Sequence, residues 1–408
     1  MKLAPYPEYK DSGVPWLGKI PAHWELHRGK WLFRKMERPV RSQDEVVTCF
    51  RDGTVTLRKN RRIRGFTESL KEIGYQGIRK GDLVIHQMDA FAGAVGVSDS
   101  DGKGTPVYSV CLPKRDLDTH YYAQLVREMS RSYFITSLAK GIRERSTDFR
   151  FDTFASLTLP VPLPEEQKAI SRFMRNESAQ INKFIRNKRR LIELLKEQKQ
   201  NVINQAVTRG LDPKVKFKPS GVEWIGDIPE HWEVMRIKFL FAEREERKGD
   251  TEFKLLSFSR SKGLVPFAEI SSKPPSAEDL SKYKVCQPGH FLMNRMQAWS
   301  GMFTDVAIEG VVSPDYSVFE PIRPMSVAYF SYLFKTKRHV DEFAMASKGI
   351  GDGFNRLYTP AFGAIRTLCP PVDEQNAIVE FIKQETAIID VAISRAEQEI
   401  ELMREYRT

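Results

Sequence analysis

The chain has 408 residues, of which 41% are apolar, and this composition supports two or three folded domains rather than a disordered polypeptide. It contains no uninterrupted apolar run of about 18 residues and no apolar leader near its amino terminus, so we expect a cytoplasmic protein without a membrane span. The four cysteines form no Cys-x-x-Cys pair, which argues against a zinc site or a disulfide framework.

The net charge of +11 is unevenly distributed along the chain. Residues 1–210 carry 38 basic and 24 acidic side chains, whereas the remainder carries 26 basic and 29 acidic ones. A positive surface favours a polyanionic partner such as nucleic acid, because the neutralisation of phosphates releases counterions. If the second half of the chain binds nucleic acid, it must do so through a local patch.

The chain is an internal duplication with an offset of 208 residues. Residues 12–25 and 220–233 share a tryptophan motif, Ser-Gly-Val-x-Trp-x-Gly-x-Ile-Pro-x-His-Trp-Glu, in which 10 of 14 positions are identical. The same offset aligns Gly93 with Gly301. Two copies are too few for a solenoid, which needs at least three stacked repeats. The sequence therefore predicts two domains of one fold, related by approximate twofold symmetry.

Each copy has the pattern of a mixed α/β domain. Short apolar runs interrupted by glycine predict strands and turns, and longer apolar-periodic stretches predict helices. We expect one strand pair and one helical patch in each copy: strands 83–85 with 94–97 and 291–293 with 306–308, and helices 121–138 and 327–346.

Each domain ends in a proline-rich stop followed by a long helix. Prolines come before residues 165–167 (Glu-Glu-Gln) and before residues 373–375 (Asp-Glu-Gln), so acidic side chains fall in the first helical turn, where the helix dipole favours them. The first helix continues without glycine or proline to Gly210. About 44 residues at about 1.5 Å each make a rod of roughly 65 Å.

Both long helices carry apolar side chains at heptad spacing, which predicts that each needs a partner. Residues 165–208 have a net charge of +5 and residues 373–408 a net charge of −5, so we expect the helices to pair with each other, antiparallel because of the duplication. The alternative is that each helix packs on its own domain. The predicted seam consists of Ile170, Met174, Ile181, Phe184, Leu191, Leu195 and Val202 on the first helix and Ile378, Phe381, Ile389, Ala392, Ala396 and Met403 on the second.

Candidate DNA contacts lie in basic clusters and in one aligned loop of each copy. Loops 86–93 and 294–301 agree in their framework residues but differ in polar side chains that can read base edges, as expected of two modules that read different half-sites. Drift at exposed positions, and solvation of a charge run, are the alternatives. The predicted DNA-binding residues are Arg58, Lys59, Arg61, Arg62, Arg64, His86, Gln87, Lys140, Arg143 and Arg145 in the first copy and Arg260, Lys262, Asn294, Arg295, Gln297, Lys348 and Arg356 in the second.

The sequence contains no motif for covalent chemistry. Residues 13–20 nearly match a phosphate-binding loop, but Ile20 stands where the magnesium-binding Ser or Thr is required. His23 and His231 occupy matched places without a third metal ligand at helical spacing, so we expect structural hydrogen bonds from them. The motif tryptophans are expected to pack on the domain or on a neighbouring helix. We predict no catalytic residue, no metal site and no cofactor on this chain.

The tryptophan motifs, the proline-rich Glu-Gln helix starts and the Leu-Ile-Glu-Leu-Leu-Lys-Glu segment at 191–197 resemble the specificity subunit of type I restriction-modification systems, along the whole chain. The resemblance implies an α+β fold with two pseudo-twofold-related mixed α/β target-recognition domains, separated by a long antiparallel two-helix coiled coil. We expect the first domain at 1–164, the first spacer helix at 165–211, the second domain at 212–372 and the second spacer helix at 373–408.

The resemblance also implies a non-catalytic subunit that binds double-stranded DNA at a bipartite, asymmetric site. Members of the family dock two methyltransferase subunits and two restriction-translocase subunits. S-adenosylmethionine, ATP and Mg²⁺ would then be bound by those partners. The sequence leaves open the target bases, the spacer length, the activity of the system and the consequence of a second helix shorter than the first.

Two functions from other classes remain open at this point. One is a stand-alone DNA nuclease or modification enzyme with an atypical centre, which would cut or methylate DNA without partners. The other is a helical protein-interaction scaffold without a DNA role, which salt-dependent, sequence-selective duplex binding would exclude.

Overall fold

The structure is a computed structural model that describes residues 5–61, 73–138, 148–249, 252–259, 263–271, 280–349 and 355–407. The chain divides into two compact units. Unit 1 comprises Met1–Ile185 with Leu402–Thr408, and unit 2 comprises Arg186–Glu401.

Unit 1 is built from short strands and short helices that lead into a long helix. Its strands are β1 (Tyr9–Asp11), β2 (Lys19–Pro21), β3 (Glu25–Arg28), β4 (Phe33–Met36), β5 (Val47–Cys49), β6 (Val55–Leu57), β7 (Gln76–Ile78), β8 (Leu83–His86), β9 (Val95–Val97), β10 (Gly102–Gly104), β11 (Tyr108–Pro113) and β12 (Thr158–Val161). Its helices are α1 (Gly29–Leu32), α2 (Thr119–Arg131), α3 (Phe134–Ser137) and α4 (Phe151–Ser156), followed by α5 (Pro164–Arg209), which continues into unit 2.

An antiparallel sheet in the order β4-β11-β8-β9 forms the centre of unit 1. Because successive side chains of a strand point to opposite faces, the side chains of β8 pack in two different apolar cores. Leu83 and Ile85 pack in the core that contains Tyr122 of α2, whereas Val84 packs in the core that contains Val47 of the β5–β6 hairpin. The antiparallel pairing of β8 with β9 confirms the first predicted strand pair.

Unit 2 repeats this arrangement with its own elements. Its strands are β13 (Phe217–Pro219), β14 (Asp227–Pro229), β15 (Glu233–Arg236), β16 (Phe241–Arg244), β17 (Leu256–Ser259), β18 (Gly263–Pro266), β19 (Lys284–Cys286), β20 (Phe291–Asn294), β21 (Phe303–Asp305), β22 (Gly310–Val312), β23 (Tyr316–Pro321), β24 (Lys348–Gly349), β25 (Asn355–Arg356) and β26 (Arg366–Cys369). Its helices are α6 (Val327–Leu333), α7 (Lys337–Ala346) and α8 (Thr359–Ala364), followed by α9 (Val372–Arg407), which continues into unit 1.

The central sheet of unit 2 has the matching order β16-β23-β20-β21. β20 pairs with Phe303–Asp305, so the predicted partner strand 306–308 is wrong by three residues. The pairing ends at Val306, whose backbone N–H donates to the carbonyl of His290 at 2.9 Å. Phe303 supplies the buried aromatic ring of this strand, whereas Ile308 is exposed. The apolar run in the sequence did not indicate which of these two residues lies in the strand.

The two predicted helical patches are each divided into two helices. In unit 1 the break follows α2 at Tyr133, which adopts a positive φ of 58°. In unit 2 the break between α6 and α7 is stabilised by Thr336, whose Oγ1 donates to the carbonyl of Leu333 at 2.7 Å. After each break the second helix places a side chain in the apolar core, Ile135 in unit 1 and Phe343 in unit 2.

The long helices α5 and α9 begin and end within two residues of the predicted spacer helices. The predicted domain boundaries stay a prediction, since the compact units divide inside these helices rather than at their ends. No described helix, these two included, is long and apolar enough to cross a membrane.

Within unit 2, α5 and α9 pair in the antiparallel direction. Lys188 Nζ lies 2.5 Å from a carboxylate oxygen of Glu399, and Lys199 Nζ lies 2.7 Å from Asp390. The residue with the higher number on α5 therefore contacts the residue with the lower number on α9. The predicted fold class is confirmed: two α/β domains of one topology and an antiparallel pair of oppositely charged helices.

Two of the predicted seam residues are exposed, and the residue that follows each of them in the sequence is buried. Leu191 is 41% exposed and Phe381 is 37% exposed, whereas Ile192 and Ile382 are 8% and 0% exposed. An α-helix with 3.6 residues per turn drifts by about 20° per repeat from a strict heptad, so the buried position moves from Leu191 to Ile192, although Lys188 of the predicted heptad still contacts α9. Among the other predicted seam residues, Ile181, Ile378, Ile389 and Ala396 are buried and Ile170, Met174, Phe184, Leu195, Val202, Ala392 and Met403 are half-buried.

Candidate nucleic-acid interface

The loops that follow β8 and β20 have the same backbone conformation in the two units. His86 N–H donates to the carbonyl of Ala94 at 3.0 Å, and Asn294 N–H donates to that of Met302 at 3.1 Å. Each loop ends in a glycine with a left-handed φ, 86° at Gly93 and 83° at Gly301, a conformation that only glycine adopts without strain. The framework predicted from the aligned glycines is therefore a real structural repeat.

A second segment closes each loop from outside the sheet. Phe149 N–H donates to the carbonyl of Gln87 at 3.0 Å in unit 1, and Leu357 N–H donates to the carbonyl of Arg295 at 3.0 Å in unit 2. Both Phe149 and Leu357 are buried. Each loop is thus held between the sheet and a buried apolar side chain, which keeps its exposed polar groups in fixed positions.

In unit 1 the loop borders a cleft of about 570 Å³ that carries both signs of charge. The cleft is lined by Thr48, Cys49, Phe50, Arg51, Asp52, Arg58, Arg61, His86, Asp89 and Tyr108. Arg51 pairs with Asp89 at 3.0 Å but keeps an exposed guanidinium. Arg51, Asp89 and Tyr108 were not among the predicted DNA-binding residues, because a lone arginine or a loop aspartate gives no signal in one sequence.

His86 is a neutral hydrogen-bonding group in this cleft. Its Nδ1 accepts a hydrogen bond from the N–H of Asp89 at 3.1 Å. Burial lowers the pKa of His86, and the positive charge of Arg51 lowers it further, against the opposing effect of Asp89. With Nδ1 acting as an acceptor, the ring presents Nε2–H as its remaining donor.

The basic cluster predicted between residues 58 and 64 is partly neutralised by acidic neighbours. Lys59 lies 2.5 Å from Glu45 and Arg61 lies 2.7 Å from Asp52, with the Arg61 guanidinium 4.4 Å from the ring centroid of Phe50. Arg58 Nε donates to Thr48 Oγ1 at 3.3 Å. The other predicted members of the basic groups, Arg62, Arg64, Lys140, Arg143, Arg145, Arg260 and Lys262, lie outside the described residues.

In unit 2 two of the predicted reading residues hold the loop itself. The guanidinium of Arg295 donates to the carbonyl oxygens of Pro314 at 2.5 Å and Asp315 at 3.3 Å. Asn294 Oδ1 accepts a hydrogen bond from the N–H of Met296 at 3.0 Å. The side chain of Gln87 in unit 1 is also engaged, through a hydrogen bond from Nε2 to Ser109 Oγ at 3.3 Å. Whether any of them contacts a base stays a prediction.

Beside the reading loop of unit 2, exposed polar groups occur at Gln297 and on strand β24, which pairs with β25. Gln297 and Lys348 are exposed, and Lys348 is paired with Arg356 of β25. Arg356 is tied back to the loop, with Nη2 3.5 Å from Asp315 Oδ1 and Nε 2.8 Å from Met296 Sδ. The structure thus brings together Gln297, Lys348 and Arg356, three residues that the sequence could only name separately.

The tryptophan motif lies against the start of the long helix in unit 1. His23 Nε2 lies 3.0 Å from Glu166 Oε1, and Trp24 Nε1 donates to the same oxygen at 3.5 Å. Burial alone would raise the pKa of Glu166, but the hydrogen bonds from His23, the N–H of Leu163 and Trp24 outweigh it and lower the pKa. The predicted structural roles of the motif histidine and tryptophan are confirmed.

A glutamine beside that glutamate explains the repeated Glu-Gln pair. Gln167 Oε1 accepts from the N–H of Asp118 at 3.0 Å while its Nε2 donates to the carbonyl of Pro162 at 2.8 Å, and Gln375 makes the same pair of bonds to Ser326 and Pro370. The repeat of Glu-Gln at the same offset indicated that the glutamine matters, but the sequence could not show which backbone groups it bonds to.

The fold also bears on nucleotide binding by residues 13–20 and on metal binding. After Gly18 the chain enters β2 rather than a helix, so the near-match to a phosphate-binding loop lacks the helix N-terminus that such loops use. In the part of the chain that the structure describes, His, Cys, Asp and Glu side chains form no group of three that could hold a metal ion.

Comparison with known proteins gives a consistent set of relatives. No protein-family model matches the chain. A Methanocaldococcus jannaschii protein provisionally named the specificity subunit of type I restriction enzyme MjaX is 20% identical over 420 residues, which cover 94% of this chain and 91% of the relative. The specificity subunit of type I restriction enzyme MjaVIII from the same organism is 30% identical over 105 residues, 26% of this chain and 23% of the relative.

Solved structures share the fold over nearly the whole length. A chain from a structure of a type I restriction-modification system in complex assembly matches with a TM-score of 0.64 and 13% identity, over 95% of this chain and 96% of that one. The HsdS subunit from Thermoanaerobacter tengcongensis matches with a TM-score of 0.55 and 13% identity, over 97% and 98%. Over nearly its whole length the chain is therefore similar in sequence to a protein named as a type I restriction enzyme specificity subunit, and similar in fold to an HsdS subunit.

Proposed function

We propose that this chain is the sequence-reading subunit of a type I restriction-modification complex, with each unit reading one half of a bipartite, asymmetric DNA site. The observation that carries the proposal is the pair of loops at 86–93 and 294–301. Their backbone hydrogen bonds coincide, but their polar side chains differ. A shared framework with different base-edge groups is what two readers of different half-sites require.

The side chains of each loop suggest separate roles. In unit 1, the exposed guanidinium of Arg51, the Nε2–H of His86 and the carboxylate of Asp89 can approach base edges from one cleft. In unit 2, Gln297 is the exposed group that can pair with an adenine, and Lys348 can contact a phosphate. Asn294 and Arg295 hold the loop in shape, since their side chains bond to its own backbone and that of the neighbouring strand.

Nonspecific affinity comes from positive charge. Residues 1–210 supply the whole excess of basic side chains, and Lys59 and Arg61 keep exposed positions beside the reading cleft of unit 1. Neutralised phosphates release counterions, so binding is expected to weaken steeply with salt. The acidic partners of these side chains compete with DNA for the same cations and reduce binding to non-target sequences.

The chain itself performs no covalent step. Two methyltransferase subunits supply S-adenosylmethionine-dependent methylation of adenine, and two restriction-translocase subunits supply ATP- and Mg²⁺-dependent translocation and cleavage. The names of the relatives support assembly of this kind, since they are specificity subunits of type I restriction enzymes. The paired helices α5 and α9 fix the separation of the two half-sites and hence the number of unread base pairs.

Sequencing of modified adenines tests the proposal. DNA from cells that express this chain with its cognate methyltransferase subunit should carry methylated adenines in one bipartite motif. Replacement of Gln297 should alter one half of that motif, and replacement of Arg51 the other half. Methylation without a shared motif, or DNA cleavage or methylation by the purified chain alone, would overturn the proposal in favour of another function.

A further inference from the structure

Each unit exposes an aromatic side chain at the same place in the repeat. The strings Arg-Gly-Lys-Trp-Leu-Phe at 28–33 and Arg-Ile-Lys-Phe-Leu-Phe at 236–241 follow the tryptophan motifs at the 208-residue offset. Their exposure pattern is identical: the arginine, lysine and following aromatic residue are exposed, and the last two residues are buried. We infer that Trp31 and Phe239 are the centres of two equivalent docking sites, each of which binds one methyltransferase subunit.

More than half of each aromatic side chain is exposed. Trp31 is 62% exposed and Phe239 is 53% exposed. A lysine covers one face of each ring, with Lys30 Nζ 5.2 Å from the Trp31 centroid and Lys238 Nζ 5.1 Å from the Phe239 centroid. Both copies therefore present one free aromatic face beside a positive charge, although the aromatic residue itself has changed from tryptophan to phenylalanine.

Backbone hydrogen bonds to neighbouring segments hold the chain on both sides of each ring. In unit 1, Gly29 N–H donates to the carbonyl of Leu157 at 2.8 Å, and Lys114 N–H donates to that of Leu32 at 2.8 Å. Binding of a partner here costs little conformational entropy, because the backbone of the segment is already held in place.

The same two bonds recur in unit 2, where Ile237 N–H donates to Ile365 at 2.9 Å and Ile322 N–H donates to Leu240 at 3.0 Å. Ile322, whose backbone bonds to the residue after Phe239, is itself an exposed apolar residue. In unit 1 the matching position holds Lys114, whose Nζ donates to the carbonyl of Lys30 at 2.8 Å and adds positive charge beside the ring. Each site thus combines an apolar centre with a basic border.

The two aromatic sites lie at the end of the central sheet that is remote from the reading loops. On β11, Pro113 pairs with Phe33, two residues after Trp31, whereas Tyr108 pairs with His86 at the start of the loop. The six residues of β11 span about 17 Å at about 3.4 Å each. In unit 2, β23 separates Phe241 from Asn294 in the same way. DNA seated on the loops leaves these rings free for a protein.

A methyltransferase subunit is the partner that this arrangement fits. This part of the argument rests on the proposed function. The proposed function has two methyltransferase subunits for two half-sites, and one repeated aromatic site in each unit provides one position for each of them. The complementary surface on the partner is an apolar pocket for the ring, bordered by carboxylates that complement the lysine beside it.

Native mass spectrometry of the full chain with its cognate methyltransferase subunit tests the assignment. We expect two bound subunits for the wild-type chain, one for Trp31→Ser, one for Phe239→Ser and none for the double variant at the same concentration. Each single change should weaken binding at its own site at least about tenfold, as the loss of an interface hot spot does. Trp31→Phe and Phe239→Trp should restore two bound subunits, which separates a docking role from a folding defect.

The matched control is Ile73→Ser, which removes an exposed apolar side chain of unit 1 that belongs to neither site. It should leave two subunits bound. Salt-dependent binding of the target duplex by the double variant should equal that of the wild-type chain. Two methyltransferase subunits on the double variant, or loss of duplex binding with both subunits retained, would overturn the assignment alone. A wild-type chain that binds no methyltransferase subunit would overturn the proposed function and the assignment together.

Discussion

Glu374, in the first turn of α9, has a carboxylate oxygen 2.7 Å from His231 Nε2, and the same oxygen accepts a hydrogen bond from Nε1 of Trp232 at 3.0 Å. Trp232 is fully buried, so this carboxylate is the acceptor that satisfies its indole N–H. Glu166 makes the corresponding contacts in unit 1. The tryptophan motif and the Glu-Gln helix start are therefore two parts of one contact, which explains why they recur together at the same offset.

Glu374→Ala should destabilise unit 2 by about 1–3 kcal/mol. The change leaves the buried indole N–H of Trp232 without an acceptor, and an unsatisfied buried donor costs about that much. Urea denaturation followed by tryptophan fluorescence measures the difference. Asp373→Ala is the matched control, because Asp373 is exposed in the same helical turn, and it should change the unfolding free energy by less than about 0.5 kcal/mol. Equal effects of the two changes would contradict the role assigned to Glu374.

His339 should make the stability of unit 2 depend on pH. The ring lies buried between Thr336 Oγ1 at 2.9 Å and Thr367 Oγ1 at 3.0 Å, and burial lowers its pKa to about 3. Between that value and the usual pKa of about 6.5 the unfolded state binds a proton that the folded state does not. Stability is therefore complete above pH 6.5 or so and falls as the pH drops, by at most about 1.4 kcal/mol per pH unit.

The measurement for His339 is the change in unfolding free energy of unit 2 between neutral and mildly acidic pH. His339→Leu should be less stable at neutral pH, because both threonine hydroxyls lose a partner, but it should lose less stability on acidification than the wild-type chain. His27→Gln, at a half-exposed position, serves as the control and should leave the wild-type pH dependence in place. The same slope in His339→Leu and in the wild-type chain would show that another group is responsible.

The repeat allowed the sequence to predict the topology better than the details of the site. An identical offset for the tryptophan motif, Gly93 and Gly301 constrains two backbones at once, and both loops have the same fold. The polar contacts were not predictable in this way. Arg295 looks like a base-reading residue in a sequence, but its donors are directed to the carbonyl oxygens of Pro314 and Asp315, which adjoin it only after β20 and β23 have paired.

The seam of the helix pair shows a second limit of sequence reasoning. Ile192→Ala should destabilise the helix pair by about 2 kcal/mol or more, because a buried isoleucine leaves a cavity when truncated. Leu191→Ala is the natural control, being the adjacent residue with an exposed side chain, and should cost less than about 0.5 kcal/mol. Thermal unfolding monitored by circular dichroism compares them. A larger effect at Leu191 would restore the seam that apolar spacing alone predicts.

Two exposed residues of unit 2 should affect DNA binding differently. Gln297→Ala should relax the preference at one base position by about 1–3 kcal/mol, since a bidentate contact to a base edge is lost. Lys348→Ala should weaken binding to all duplexes similarly and reduce the slope of log K against log salt by about 1, because it removes one phosphate contact. Arg295→Ala should reduce recognition of the whole half-site, since the loop loses its bonds to Pro314 and Asp315.

Fluorescence anisotropy with duplexes that carry single base changes separates these outcomes. The wild-type chain at several salt concentrations provides the reference for both the base preference and the salt slope. A Gln297→Ala chain that keeps its preference at every position, or a Lys348→Ala chain with the wild-type slope, would contradict the role given to that residue.

The helix pair should act as the ruler of the bipartite site. The pairs Lys188 with Glu399 and Lys199 with Asp390 show that residues near 194 on α5 face residues near 394 on α9. Four residues inserted at both places lengthen each helix by about 6 Å. The antiparallel register is kept because the insertions face each other. At about 3.4 Å per base pair, the unread gap in the methylated motif should widen by one or two base pairs, while both half-sites stay the same.

Insertion into α5 alone is the control and should disrupt the pairing. Methylated sites with unchanged spacing in the doubly extended chain would show that the distance between half-sites is set elsewhere.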